Sequence, residues 1–71
     1  MNNYNSKYKY NINDYVNTLY LNKVKSKIID RKIIKDYRGK NNYFYRLEEE
    51  KGLLSYWVIQ DNLECYKEQK N

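Results

Sequence analysis

The 71-residue chain has no alanine, proline or histidine, two glycines and one cysteine. Each absence closes off a class of function. Without histidine, Cys65 cannot form a Cys/His nucleophile pair or a Cys/His zinc site, and a lone thiol cannot form an internal disulfide. A buried or inert thiol is the expectation for Cys65. Ser6, Ser26 and Ser55 likewise lack a histidine base, and the surroundings of Gly39 and Gly52 match no phosphate-binding loop. The longest apolar run, Tyr56-Trp57-Val58-Ile59, falls far short of the roughly 20 residues needed to cross a bilayer. The opening MNNYNSKYKY contains no apolar stretch of the kind that directs export. These features predict a non-membrane protein of the cytoplasm.

A second group of residues is over-represented. Asn (11), Lys (11), Tyr (10) and Ile (6) supply 38 of the 71 positions. These residues have A- and T-rich codons, whereas the missing alanine and proline have G- and C-rich ones, so an AT-rich genome accounts for the bias. Many tyrosines therefore stand where phenylalanine or leucine would serve, and Asn takes over turns that Gly would otherwise make, since it tolerates the left-handed conformation.

A chain of this length forms one domain and exposes about 40% of its unfolded surface even when folded. Ordering it costs roughly 1.5 kcal/mol per residue, so nearly every large apolar side chain is needed in one core. That leaves no room for the deep cleft of a large enzyme. Residues 1–7 and 68–71 are polar and expected to fray, leaving about 10–66 as the folded body.

Charge is segregated along the chain. Residues 1–22 carry a net +1 and residues 41–71 a net −2, while residues 23–40 carry +6 through Lys23, Lys25, Lys27, Arg31, Lys32, Lys35, Arg38 and Lys40 against Asp30 and Asp36. Concentration of one sign in one segment is what an anion-facing surface requires.

Two patterns predict strands. Tyr43, Tyr45 and Leu47 alternate with Phe44 and Arg46. The run Tyr56 to Ile59 is aromatic and β-branched, and Glu48-Glu49-Glu50-Lys51-Gly52 between the two supplies a charged hairpin turn. The middle of the chain reads in two ways. Asp14 and Gly39 could bracket a helix over about 14–38, giving an α+β fold. At about 100° per residue, however, Val16, Tyr20, Val24 and Ile28 drift around such a helix and form no stable face. As a strand, Val24, Ser26 and Ile28 point inward while Lys23, Lys25 and Lys27 point outward. A turn or bulge around Asp30 to Lys32 would then let Ile33 and Ile34 resume pairing, with Arg38 to Asn42 as the next loop.

This order of elements resembles the small SH3-like barrels, among them KOW-type and Tudor-like modules and many short phage proteins. The resemblance covers about residues 10–66. It rests on the opening Ile12-Asn13-Asp14-Tyr15-Val16, where Asn13 stands in the place of the usual glycine, on the strands at Val24–Ile29 and Tyr43–Leu47, and on Trp57-Val58 followed by Asp61-Asn62-Leu63-Glu64. It implies a mostly β, five-stranded barrel with a short 3₁₀ turn before the last strand. The inward sets of those strands predict a core in which Trp57 packs against Ile12, Val16, Val24, Ile28, Tyr45, Leu47, Ile59 and Leu63.

Function then reads as binding without catalysis. Glu48, Glu49 and Glu50 are consecutive and diverge, unlike a carboxylate pair converging on a substrate, and no Asp/Glu spacing marks a metal, so no cofactor is expected. The candidate surface for an anionic partner is Lys23, Lys25, Lys27, Arg31, Lys32, Arg38 and Lys40, with Tyr37, Phe44 and Tyr56 as candidate stacking residues. Phosphate neutralisation by such lysines gives affinity without sequence choice. The expected role is a phage or mobile-element module that contacts nucleic acid or a nucleoprotein. The alternative is a small inhibitor that docks its basic surface on an acidic host protein, such as a nucleic-acid-handling defence factor.

Overall fold

The computed structural model describes residues 8–19, 25–49, 52 and 54–66. Strands β1 (Tyr15–Thr18), β2 (Lys25–Lys35), β3 (Asn41–Glu49) and β4 (Ser55–Ile59) are followed by a 3₁₀ turn, η1 (Gln60–Asn62), and β5 (Leu63–Cys65). All five strands join one antiparallel sheet in the order β4-β3-β2-β1-β5. The five strands and the 3₁₀ turn before the last of them agree with the expected element order. The helix over about 14–38 does not form: β1 and β2 occupy its described residues, because the Lys25-Ser26-Lys27-Ile28 alternation satisfies a half-buried strand and cannot give a helix one apolar side. β4 and β5 are the two edges of the sheet, and no ladder joins them among the described residues. No helix there is long and apolar enough to cross a membrane.

The core is a single cluster of Tyr10, Val16, Ile28, Tyr45, Leu47, Val58 and Leu63, with Tyr8, Tyr43 and Tyr56 packed against it. It draws on both edge strands, so the sheet curves around it. Val16, Ile28, Tyr45, Leu47 and Leu63 are the expected core residues; Val24 and Lys23 lie outside the described residues. Three expected members, Ile12, Trp57 and Ile59, are corrected. Ile12 is in the turn before β1 and is exposed, and Trp57 is 37% exposed. In β4 it is Val58 that faces in: Tyr45 pairs with Val58 and Arg46 with Trp57, so Trp57 shares the outer face with Arg46. Ile59 pairs with Phe44 on that outer face and is half-buried.

The bulge in β2 falls between Ile28 and Asp30, one residue earlier than the sequence suggests. Its consequence is a change of phase. Before it, Ser26 and Ile28 face the core and Lys25 and Lys27 face out; after it, Arg31 pairs with Tyr45 on the inner side and Lys32 with Phe44 on the outer. The β2–β3 loop is Asp36 to Lys40, shorter than expected at its far end because Asn41 and Asn42 already belong to β3. Asp36 Oδ1 accepts from the Arg38 and Lys40 amides, both at 2.9 Å, and Gly39 takes φ +83°. Those backbone N–H groups, Lys40 first, hold the Asp36 carboxyl below its usual pKa.

Asn13 has φ +78°, the one non-glycine residue among those described in the left-handed region. Asn13 N–H donates to the Ile28 carbonyl at 2.8 Å, and Ile28 N–H returns a bond to the Asp14 carbonyl at 2.9 Å, so the turn is what docks β2 on the N-terminal segment. Asn is tolerated there and glycine would be at least as good, whereas a β-branched side chain meets the left-handed penalty of about 1 to 2 kcal/mol. Asn13→Val is therefore expected to lower the denaturation midpoint clearly and Asn13→Gly to leave it within about 0.5 kcal/mol of the parent, as read by urea titration. Equal stability of the two variants would mean that the turn is not held in this conformation.

Candidate nucleic-acid interface

Three strands build the outer face. β2 contributes Lys27 and Lys32, β3 contributes Phe44 and Arg46, and β4 contributes Trp57 and Ile59, all on the side opposite Ser26, Ile28, Tyr45, Leu47 and Val58. The Lys32 ammonium lies 4.0 Å from the centre of the Trp57 ring, a cation–π contact reaching across β3. Arg46, directly opposite Trp57 in the ladder, donates from Nε (3.1 Å) and Nη2 (2.9 Å) to Ser55 Oγ. That fixes its guanidinium on the outer face while leaving Nη1 for a further acceptor. Asp30 pairs with Arg46 and Glu48 with Lys27, so the face carries both signs.

The expected binding residues separate into three groups. Lys27 and Lys32 share the outer face. Lys25 has the same parity but turns its ammonium to the rings of Tyr15 (4.8 Å) and Tyr66 (4.6 Å), along a hollow of about 550 Å³ that Tyr10, Asp14 and Cys65 also line. Arg31 faces the opposite side. Its Nη1 donates to the Tyr10 carbonyl at 2.8 Å and to Asn11 Oδ1 at 3.3 Å, and its guanidinium lies 4.3 Å from the centre of the Tyr8 ring. Arg31 thus holds the N-terminal segment against the core. Arg38 and Lys40 sit in the Asp36–Lys40 loop, about 25 Å along the sheet from Lys27 at some 3.3 Å per ladder position.

The stacking candidates also divide. Tyr37 is 92% exposed at the hairpin tip, with the Arg38 guanidinium 5.4 Å from its ring centre. Phe44 is half-buried on the outer face. Tyr56 is corrected: it packs against the core from the inner side, and its hydroxyl donates to Glu49 Oε2 at 3.3 Å. The aromatic residue missed by the sequence reading is Trp57, and the signal for it was Ser55. A polar residue two positions earlier in a strand shares its face, which marks that face as the solvated one. Cys65, expected to be buried or inert, is exposed at the end of β5.

The inner side is closed by a hydrogen-bonded cluster. Tyr45 Oη accepts from the Lys9 amide at 3.0 Å and the Tyr10 amide at 3.3 Å and donates to Gln60 Oε1, while Tyr10 Oη donates to the Leu63 carbonyl at 3.2 Å. Burial pushes the pKa of both phenols up; the neighbouring Cys65, Tyr45 and Glu64 add to this for Tyr10, whereas amide donors and Arg31 oppose it for Tyr45. This side is a plug of structural tyrosines, and the outer face of β2 to β4 is a surface where cations and aromatic groups from three adjacent strands are presented together. In comparisons with protein-family models, curated proteins and solved structures, nothing matched this chain.

Proposed function

We propose that the chain is a small non-enzymatic module that binds nucleic acid, alone or within a nucleoprotein, along the outer face of β2, β3 and β4. The observation that carries the reading is the grouping of Lys27, Lys32 and Arg46 with the exposed Trp57 and the half-exposed Phe44 on one side of one sheet. Cations on a pleated face neutralise phosphates at several points, and aromatic groups among them supply contacts that salt does not screen. The strand order β4-β3-β2-β1-β5 and the 3₁₀ turn before β5 support an SH3-like barrel as the scaffold. The residue usage supports an AT-rich genome as the source, and an origin in a phage or mobile element with action in the cytoplasm is the form of this reading that the resemblance to short phage proteins suggests.

The test is a titration with DNA and RNA at two salt concentrations. Replacing Lys27 and Lys32 together by Gln should weaken single-strand binding about 25-fold at 0.1 M salt, since each phosphate contact is worth roughly a factor of five there, and should lower the salt slope by about 1.4. Folding should be retained with a loss of about 1 to 2 kcal/mol, because Lys27 is half-buried and Lys32 gives up its contact with Trp57. Unchanged affinity and slope in this variant would remove the face from consideration.

The second reading, an inhibitor that docks on an acidic host protein, draws on Asp30 and Glu48, which would repel a long polyanion passing over the same face. It predicts no measurable nucleic-acid binding at low salt, and association with the captured protein that slows in the Lys27/Lys32 variant.

A further inference from the structure

We infer that the nucleic acid bound by this face is single-stranded and that one base stacks on the Trp57 ring, displacing the Lys32 ammonium, which then moves to an adjacent phosphate. The inference rests on the nucleic-acid reading above and narrows it to one ligand class.

The argument begins with the position of Trp57. It stands on β4, an edge of the sheet, so among the described residues β3 is the one strand flanking it, and its direct neighbour Arg46 is held aside by two bonds to Ser55. The ring is exposed by more than a third and carries a mobile cation on one face at 4.0 Å. A lysine amine is a strongly hydrated group on a flexible stem, and over an exposed ring it gains less than a stacked base does. Exchange of the amine for a base therefore favours the base, and the released ammonium is left within one side-chain length of the strand that delivered it. In a duplex the base faces are covered by their neighbours, and a ring standing on a sheet can meet only edges, sugars and phosphates. A single strand presents π-faces, and every base has one, so contact of this kind discriminates strandedness without reading sequence.

The remaining groups fit the same path. Phe44 lies diagonally across the ladder from Trp57 and Ile59 two residues further along β4, and both extend the apolar platform, while Lys27 lies four ladder positions from Lys32 across the bulge, roughly 13 Å along the sheet, at the distance of a few nucleotides from the stacked base. Arg46, between them, keeps Nη1 available for a phosphate.

Trp57 is the sole tryptophan, so its emission reports on its own ring. The experiment titrates the full chain at low salt with a short oligothymidylate and, separately, with a duplex of equal length. The expected result is quenching of Trp57 emission by the single strand, a preference of about tenfold or more over the duplex, and loss of that preference in Trp57→Ala with duplex affinity within about twofold of the parent. Trp57→Phe should retain most of the preference, which separates loss of stacking from loss of fold. Equal binding of the two nucleic acids, with Trp57 emission unmoved, would overturn the inference while leaving the nucleic-acid reading in place. Absence of binding to either would overturn both.

Discussion

Tyr45→Ala is expected to leave the chain largely unfolded at 25 °C, while Trp57→Ala stays folded and melts at a lower temperature than the parent. A domain of this size has roughly 4 to 10 kcal/mol of stability. Tyr45 is fully buried at the centre of the core and in edge-to-face contact with Tyr10 and Tyr8, at 5.4 and 6.0 Å between ring centres. Truncating an aromatic side chain at such a site costs about 3 to 5 kcal/mol. Its hydroxyl also accepts from the Lys9 and Tyr10 amides. The Tyr10 amide is buried, and leaving it unpaired adds about 1 to 3 kcal/mol. Together, at about 4 to 8 kcal/mol, these remove most or all of the stability of the domain. Trp57, the larger residue, is on the outer face with 37% of its surface in solvent, and its truncation forfeits the Lys32 contact and partial burial, about 2 kcal/mol, or some 8 to 16 °C for a domain this small. Far-ultraviolet circular dichroism and thermal melts of the two variants distinguish the cases. A folded Tyr45→Ala chain with a cooperative melt close to the parent would show that the core is not organised around this residue.

That contrast also marks where the sequence was readable. In β3 the residues Tyr43, Tyr45 and Leu47 alternate with Phe44 and Arg46, and in β2 the lysines alternate with Ser26 and Ile28, so the pattern itself fixes which side faces in. In β4 the run Tyr56-Trp57-Val58-Ile59 is apolar throughout and has no phase of its own. A shift of one residue exchanges its two faces, and residue size pointed to Trp57 when register points to Val58. The bulge in β2 had a similar effect. It reverses the alternation after Ile28, which takes Arg31 out of the row of lysines and turns it toward Tyr8 and Tyr10. Tyr10 itself lies in an irregular segment, where no periodicity could mark it as buried. The candidate interface was thus half legible. Lys27, Phe44 and Arg46 share their face by alternation alone and Lys32 was marked by its charge, whereas the bulge in β2 brings Lys32 to that face and the β3–β4 register brings Trp57.

Loss of the fold in alkali is the second large effect expected. Tyr10 and Tyr45 are both buried, with rings 5.4 Å apart, and burial raises the pKa of each above the ordinary tyrosine value. In the unfolded chain each phenol ionises at about pH 10. Below that pH both states hold the proton and the linkage contributes its full stability. Above it the unfolded state loses protons that the native state retains, so stability falls with rising pH until the folded pKa values are passed. A first phenolate in this cluster would also disfavour a second, because the two rings touch. Circular dichroism between pH 8 and pH 12 should therefore show a flat region followed by cooperative unfolding that begins near pH 10. Tyr10→Phe loses only the bond to the Leu63 carbonyl, about 1 kcal/mol, and one titrating group, so it should start from slightly lower stability and decline less steeply in alkali. Stability in urea that stays constant to pH 11.5, with both tyrosines in place, would mean that the two phenols reach solvent and that the plug closing the inner side of the sheet is open.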